Sequence, residues 1–335
     1  MTAALRLPEP RPGSRILATG AYRPARVLTN DEVAGPIDSS DEWIRERSGI
    51  VERRWAATDE TVADMAIAAA SKAIASSGIA PEAISMVLVA TITDSLQLPS
   101  VAALVADRLG AKNAACTDLA AACAGFCYGL GLADSLVRTA SAEYVLVIGV
   151  EKLSDFVSPT DRGTAFIFGD GAGAVIVGPS DHPGIGPTIW GADGSQHDAI
   201  KATRTWIDFR DNPADTAPPT ITMQGQAVFR WAIGEMTKVC HQALEAAGIT
   251  VDDLAAFIPH QANMRITDAM VRALKLPEHV VVARDIEYTG NTSAASVPLA
   301  MDAVLASGKV ASGGLALLIG FGAGLVYAAQ VVELP

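Results

Sequence analysis

Cysteine, aromatic residues and unbroken apolar runs are all scarce in this 335-residue chain. Its four cysteines cannot form the disulfide framework of a small secreted domain, and they do not cluster with histidines at the spacing of a zinc site. The longest apolar stretches are interrupted by glycines, which argues against a membrane span. Met1–Ser14 contains proline and charge where a signal peptide would be apolar. We therefore expect a cytoplasmic protein that has no metal site and does not associate with a membrane.

Positive charge is also in short supply. Asp and Glu number 37 against 25 Lys and Arg, so the net charge is −12. This balance excludes nonspecific binding to nucleic acid, although a local basic patch could still attract an acidic partner. Half of the residues are hydrophobic and 29 are glycine, a composition that predicts a large and closely packed α/β core.

Two blocks of sequence pattern recur about 170 residues apart. Ser71–Ala90 and His241–His260 each combine a helical pattern, a glycine suited to end the helix, a polar turn and an apolar run. Gly129–Gly149 and Ala300–Gly320 each combine an apolar-faced helix, a polar turn and a strand that ends in glycine. The repeats predict a duplicated α/β protein with halves at 14–186 and 187–335, in which two central helices lie between two sheets. Chance recurrence of helix–loop–strand patterns is the alternative explanation.

Cys123 lies in the stretch DLAAACAGFCYGL (118–130), at the start of a helix predicted over 124–137. The positive end of a helix lowers the pKa of a nearby thiol and favours the nucleophilic thiolate. The surrounding alanines and glycines would let a ligand approach the sulfur closely. Cys127, one helical turn further on, is expected to pack as a small hydrophobe. For a single cysteine in an apolar stretch, an inert core residue is the ordinary explanation.

Three further residues could assist such a nucleophile. His260 follows a strand predicted over 255–259, at the strand end where α/β proteins place ligands. Asn291, in GNTSAAS, precedes the helix predicted over 297–305 and is expected near the position that Cys123 occupies in the first half. The backbone amide of Ala323, in the glycine-rich turn GFGAGL, could form an oxyanion hole with the amide of Cys123. A structural histidine and an asparagine helix cap are the alternatives.

The motifs ACAGF, PHQAN and GNTSAAS occur in this order, accompanied by DSSDEWIRERSGI (38–50) and DRGT…FGDGAGA (161–174). In this combination the chain, from about residue 14 to 335, resembles the β-ketoacyl-acyl-carrier-protein synthase III family of the thiolase superfamily. The resemblance implies a duplicated thiolase-like fold with five αβαβα layers. It also implies a homodimer that needs no cofactor.

The same resemblance implies a decarboxylative Claisen condensation. Cys123 would accept the acyl group of an acyl-CoA, while His260 and Asn291 would hold the thioester of a malonyl group on acyl carrier protein. Loss of CO₂ would then generate the carbon that attacks the acyl-cysteine. The 3-oxoacyl product would initiate fatty acid or aromatic polyketide biosynthesis.

Binding residues are also implied by the resemblance. The positions that match contacts with coenzyme A and its pantetheine arm are Ser39, Trp43, Arg47, Ser48, Arg162, Gly225, Phe229, Ala262 and Asn263. Phe168 matches a wall of the acyl pocket, and Leu98 matches a loop residue that closes the pocket of the partner subunit. The residues predicted to dock the acidic carrier protein are Arg230, Arg265 and Arg272. A solvated helix face is the alternative for Arg230 and Arg272.

Related enzyme classes fit less well. A thiolase would need a second cysteine in GFGAGL, and an elongating ketosynthase would have histidine at the position of Asn291. A papain-like hydrolase would be a smaller, secreted chain without the duplication. A catalytically silent relative would lack the nucleophile that is present here. One alternative stays open, an acyltransferase of the same family that moves its acyl group to a hydroxyl acceptor.

Overall fold

The computed structural model describes residues 5–212 and 217–335. Its strands are β1 (Gly13–Tyr22), β2 (Arg26–Thr29), β3 (Glu52–Trp55), β4 (Ile84–Ala90), β5 (Ala115–Leu119), β6 (Tyr144–Glu151), β7 (Gly171–Ser180), β8 (Ile189–Ala192), β9 (Ile200–Ala202), β10 (Ile221–Met223), β11 (Ala256–Pro259), β12 (Val281–Val282), β13 (Leu315–Gly322) and β14 (Val326–Glu333). Strands β4, β6, β11 and β13 are nearly continuous apolar runs, because helices cover both faces of the sheets that contain them.

The helices begin and end at sequence signals that can be read locally. They are α1 (Asn30–Ala34), α2 (Asp41–Ser48), α3 (Val62–Ser77), α4 (Val101–Leu109), α5 (Gly125–Arg138), α6 (Trp206–Asp211), α7 (Gly225–Ala247), α8 (Met264–Leu274), α9 (Ile286–Thr289) and α10 (Ser296–Ala306). The predicted terminal glycines, Gly78 after α3 and Gly248 after α7, both have φ of +70°, a conformation that suits glycine. In the described part of the chain, each helix is too short or too polar to cross a bilayer.

Two five-stranded mixed sheets have the same arrangement. The order is β1–β7–β6–β4–β5 in the first sheet and β8–β14–β13–β11–β12 in the second. In each sheet, the last three strands of this order are parallel to one another, and the first two are joined to them by antiparallel pairing. The predicted duplication is therefore confirmed. The boundary predicted between residues 186 and 187 lies between the last strand of the first sheet and β8, and its position stays a prediction.

Five layers result from the packing of helices on these sheets. Helices α5 and α10 lie between the sheets, where Phe126, Leu130 and Met301 join side chains of both sheets in one buried cluster. Helices α3 and α4 cover the outer face of the first sheet, and α7 and α8 cover that of the second. Burial of each large apolar side chain in such a cluster stabilises the fold by about 2 kcal/mol. The predicted five-layer order is confirmed.

Both central helices start in the same unusual way. Each is preceded by a short 3₁₀ turn, Ala122–Ala124 before α5 and Ser293–Ala295 before α10. The first residue of each turn has left-handed backbone geometry, with φ of 43° at Ala122 and 47° at Ser293. The two turns lie 171 residues apart, so the structural counterpart of Cys123 is Ala294. Asn291, which was expected near this position, lies just before the second turn.

Candidate active site

A cavity of about 470 Å³ extends from the surface to Cys123, in the turn before α5, and to Asn291, just before the turn that precedes α10. Cys123, His260 and Asn291 line it together, although they come from three separate segments of the chain. His260 is 3% exposed and Asn291 is 6% exposed, whereas Arg47 and Arg230 on the same wall are exposed to solvent. His260 and Asn291 thus lie at a buried inner end, Cys123 is partly exposed there, and the arginines mark the mouth.

The sulfur of Cys123 is closely surrounded. The Ser293 hydroxyl and the backbone amides of Cys123 and Ala323 lie near it, and each of them favours the thiolate and so lowers the pKa. A Cβ atom built on Gly322 would lie 2.8 Å from the sulfur, so only glycine leaves the nucleophile its room. The two amides predicted to form an oxyanion hole therefore both face the sulfur.

Burial raises the pKa of the Cys123 thiol to about 12, and the nearby carboxylate of Glu151 acts in the same direction. The sequence-based expectation of a lowered pKa is therefore wrong for the free enzyme. The donors around the sulfur do favour the thiolate, but the loss of solvent outweighs them. The thiol needs an acceptor for its proton before it can attack.

His260 follows β11, and its imidazole is held on one side by Ser296 and on the other by the edge-to-face ring of Phe321. The distance from Nδ1 to the Ser296 hydroxyl oxygen is 2.6 Å. Burial lowers the pKa of His260 to about 3, so the ring is neutral at physiological pH. The amide of Gln261 donates to the same hydroxyl at 3.4 Å, and in one of the two neutral tautomers that hydroxyl donates its own proton to Nδ1. We assign the ring proton to Nε2 on this basis.

Asn291 has a defined amide orientation. Its backbone bonds to both sides of Phe168, through Ile167 and Gly169. Its side-chain Oδ1 accepts a hydrogen bond of 2.8 Å from the Ser293 amide. The Nδ2 group is consequently the end that can donate into the cavity. His260 and Asn291 together provide two neutral donors in a water-poor site, where such groups stabilise a developing negative charge strongly.

The mouth of the cavity is aromatic and cationic. The guanidinium groups of Arg162 and Arg47 lie 4.9 and 5.5 Å from the ring centroid of Trp43. The edge of Phe166 packs against the same indole, with the ring centroids 5.2 Å apart. Asn263 caps α8 and donates to the carbonyl of Arg47, which ties the two halves together at this wall. A flat aromatic group carrying phosphates fits this combination of a ring and two cations.

Comparisons with family models and with curated proteins all indicate the same enzyme family. A family model for 3-oxoacyl-[acyl-carrier-protein (ACP)] synthase III matches residues 117–194, and the model for the C-terminal part of the same enzyme matches residues 244–334. The β-ketoacyl-[acyl-carrier-protein] synthase III of Streptomyces glaucescens is 59% identical over 324 residues, covering 97% of each chain. Synthase III 1 of Streptomyces coelicolor is 58% identical over 333 residues, with the same coverage. The chain belongs to the β-ketoacyl-ACP synthase III family.

Solved structures agree with this assignment. The priming β-ketosynthase from the R1128 polyketide biosynthetic pathway matches with a TM-score of 0.97 and 48% identity, over 99% of each chain. The synthase III from Aquifex aeolicus VF5 matches with a TM-score of 0.88 and 40% identity, over 96% of this chain and 100% of that one. The predicted family, thiolase fold and acyltransferase activity are confirmed.

The predicted binding residues of this synthase III fall into two groups. Those that line the cavity with the three inner residues are Trp43, Arg47, Arg162, Phe168, Gly225, Phe229, Arg230, Ala262, Asn263 and Arg265. Arg272 lies outside, in a shallow groove that also contains Phe229 and Arg265. Leu98 is 86% exposed on a loop away from the cavity.

Two predicted hydroxyl contacts of the synthase with CoA lack support in the geometry. Ser48 is fully buried, and its hydroxyl donates to the carbonyl of Ile44 while accepting from the amide of Ile50. The hydroxyl of Ser39 is also buried, away from the residues that line the cavity. Both serines stabilise or flank the ends of α2, the helix that carries Trp43, so any effect on CoA is indirect.

Sequence reasoning missed two residues next to the nucleophile. Glu151 is the last residue of β6 and is completely buried, and Ser293 bonds to its carboxylate. A signal was available, because a charged residue at the carboxyl end of a continuous apolar strand lies where α/β enzymes place functional groups. In the run VLVIGVEKLSD, Glu151 occupies that position.

Proposed function

We propose that Cys123, His260 and Asn291 carry out the two half-reactions by which this synthase III condenses an acyl-CoA with malonyl-acyl carrier protein. In the first, the Cys123 thiolate attacks the thioester carbonyl, and CoA departs. The charge that develops on the carbonyl oxygen is stabilised by the backbone amides of Cys123 and Ala323. One such donor contributes roughly 3–4 kcal/mol to a transition state of this kind.

In the second half-reaction, the malonyl thioester oxygen accepts hydrogen bonds from Nε2 of His260 and Nδ2 of Asn291. Loss of CO₂ leaves an enolate whose charge rests on that oxygen. The enolate carbon attacks the acyl group on Cys123 and forms a 3-oxoacyl-carrier protein. The Cys123 thiolate leaves and takes up a proton from solvent. Neutral donors suit this step because a carboxylate at either position would repel the enolate.

The observation that carries this proposal is the side-chain geometry at the inner end of the cavity. The Ser296 hydroxyl holds Nδ1 of His260, and the Ser293 amide holds Oδ1 of Asn291. Each interaction leaves the opposite, donating nitrogen for the substrate. Fixing donors in advance in this way avoids reorganisation during the reaction.

The cavity mouth supports a role in binding both substrates. We assign the adenine end of CoA to Trp43, Arg47 and Arg162, and the pantetheine arm to the wall formed by Gly225, Phe229, Ala262 and Asn263. The basic patch of Arg230, Arg265 and Arg272 would steer the acidic carrier protein. In a chain of net charge −12, such steering depends on local potential and weakens with added salt.

A homodimer and a cytoplasmic location belong to the same proposal. The exposed apolar side chains of Ile92, Leu96 and Leu98 lie on one loop, and β5 is an edge strand of the first sheet. Such features are commonly covered by a partner. All four cysteines are free thiols, as expected where disulfides are kept reduced.

Acyl loading and condensation can be tested separately. Incubation with a panel of acyl-CoAs, followed by intact-protein mass measurement, should show one acyl group on the wild type and none on Cys123→Ala. Malonyl-carrier protein should then release CO₂ from the loaded enzyme. Formation of an ester without CO₂ would instead favour transfer to a hydroxyl acceptor.

The starter range provides a sharper test of Leu98. This side chain is smaller than an aromatic ring, so a partner pocket closed by it has space for branched or four-carbon groups. We expect butyryl-CoA and isobutyryl-CoA to load. Exclusive loading of acetyl-CoA would contradict the role given to Leu98.

A further inference from the structure

The Cys123 thiol has a proton to lose, and the neighbouring histidine is not built to take it. In the tautomer assigned above, Nδ1 of His260 accepts from Ser296 at 2.6 Å and the ring proton lies on Nε2. Both nitrogens are therefore committed before the thiol reacts. Transfer to His260 would in addition create two charges in a nearly dry cavity, which is costly.

A different acceptor is connected to the sulfur through Ser293. The Ser293 hydroxyl lies near the Cys123 sulfur and favours its thiolate, and it donates a bond of 3.0 Å to Oε1 of Glu151. The carboxylate is fully buried, yet among the residues that the structure describes it has no cationic partner within salt-bridge distance. Its charge is held by hydrogen bonds alone.

The two carboxylate oxygens of Glu151 accept different numbers of hydrogen bonds. Oε2 accepts three hydrogen bonds, from the Thr93 hydroxyl at 2.6 Å, the Ile92 amide at 3.1 Å and the Thr91 hydroxyl at 3.2 Å. Oε1 accepts only the bond from Ser293. Oε1 thus has the capacity to take a proton, while Oε2 keeps the carboxyl group in place.

We propose that Ser293 and Glu151 form a proton relay that accepts the thiol proton of Cys123 during acyl loading. The S–H bond of Cys123 breaks as its proton passes to the Ser293 oxygen, and the original Ser293 proton moves to Oε1 of Glu151. The products are a thiolate and a neutral carboxylic acid. Release of CoA as a thiol takes one proton back and restores the carboxylate.

The electrostatics favour this route. One negative charge moves from Glu151 to the sulfur, so the buried site carries the same net charge before and after the transfer. Burial raises the pKa of Glu151 to about 7, which is closer to that of the thiol than the value of about 3 for His260. About half of the Glu151 carboxyl groups are thus ionised at pH 7, and the ionised form is basic enough to accept a proton.

Other titratable side chains on the packed elements are engaged elsewhere. Lys152, the next residue, directs its ammonium group to Asp155, at 3.4 Å. Asp94, on the loop that carries the two threonines, accepts amides of its own loop. Asp170, just before β7, accepts from Ser154. Cys123 and Glu151 are therefore the titrating pair that the relay joins.

The test measures single-turnover acyl loading by intact mass as a function of pH, and it rests on the proposed role of Cys123 as acyl acceptor. In the wild type, the loading rate should rise through an inflection near pH 7, because the relay requires ionised Glu151. Glu151→Gln should lower the rate about 100-fold and abolish this inflection. A thermal unfolding curve and CoA binding verify that the variant is folded.

Two variants of Ser293 test the relay without relying on the Glu151 substitution, which could itself disturb the structure. Ser293→Ala and Ser293→Gly both remove the hydroxyl, and glycine also suits the left-handed backbone at this position, where φ is 47°. Both should lose about 100-fold in loading. Thr91→Val removes one donor to Oε2 but keeps the relay, so the inflection should move to higher pH and persist.

The outcomes separate this inference from the proposed function. Loading of Cys123→Ala would overturn the role of the nucleophile itself. If Cys123→Ala fails to load while folded Glu151→Gln keeps the wild-type rate and inflection, the nucleophile stands and the relay is overturned. The same holds if Ser293→Gly loads at the wild-type rate.

Discussion

The two turns that precede the central helices share one backbone conformation, but their side-chain surroundings differ. Both begin with a left-handed residue, and each packs against the end of a strand of the opposite half. In the first half, Cys123 faces Gly322 at the end of β13, and the missing side chain leaves the sulfur open to the cavity. In the second half, the strand end equivalent to Gly322 is Glu151, which fills the space and binds Ser293.

The comparison shows that equivalent sites in the two halves of a duplicated fold can have different chemical roles. One copy exposes a nucleophile, while the other closes its equivalent site around a buried carboxylate. The two sites differ in the turn, where Cys123 matches Ala294, and at the strand end, where Gly322 matches Glu151. Four predictions test it, from the largest expected effect to the smallest.

Removal of the nucleophile should have the largest effect. Cys123→Ala should form no acyl-enzyme detectable by intact mass, because no other thiol opens to the inner cavity. Cys127→Ala is the matched control, since Cys127 is buried below and packs as a small hydrophobe. Loss of loading in the Cys127 variant together with retention in the Cys123 variant would reverse the assignment.

Asn291 should matter for decarboxylation and not for loading. Asn291→Asp replaces a donor with a charge that repels the enolate, so release of CO₂ from malonyl-carrier protein should fall roughly 100- to 1000-fold. Acylation of Cys123 should continue, because its oxyanion is stabilised by backbone amides. A parallel loss of both steps would show that Asn291 acts on the structure of the site.

A side chain at Gly322 would make the first half resemble the second. Gly322→Ala places a Cβ atom 2.8 Å from the Cys123 sulfur and should lower the loading rate about 100-fold by displacing the nucleophile. Gly234→Ala is the control, since a Cβ there meets nothing within 4 Å and alanine favours a helix. Equal loading by both variants would contradict the steric argument.

Reversal of a charge in the basic patch beside the cavity mouth should have the smallest effect on activity. Arg272→Glu should raise the KM for malonyl-carrier protein about threefold at low salt, with kcat retained, since exposed charges contribute less than about 1 kcal/mol. Lys309→Glu makes the same charge change outside the basic patch and should leave the KM as it is. An equal rise of the KM in both variants would show that the net charge of the enzyme, and not docking at Arg272, causes the change.

Much of the catalytic centre was predictable, because its signals are local. Cys123, His260 and Asn291 each occur at the start of a helix or the end of a strand, and the repeated patterns placed those boundaries within one or two residues of the observed ones. Glycine at 78 and 248 marked helix ends for a similar reason, since positive φ is a property of single residues. The roles of Ser39 and Ser48 were not predictable in this way, because burial of a hydroxyl depends on distant packing.

The sequence alone determined the duplicated fold and the family, and it singled out Cys123 as the candidate nucleophile. These follow from periodicity and motif order, which are properties of neighbouring residues. Only the tertiary structure decided the pKa of Cys123 and the orientation of the His260 and Asn291 donors. It also brought Glu151 and Ser293, 142 positions apart, into one hydrogen-bonded chain. Burial and hydrogen bonding between distant segments control such properties, and they exist only once the two halves have packed together.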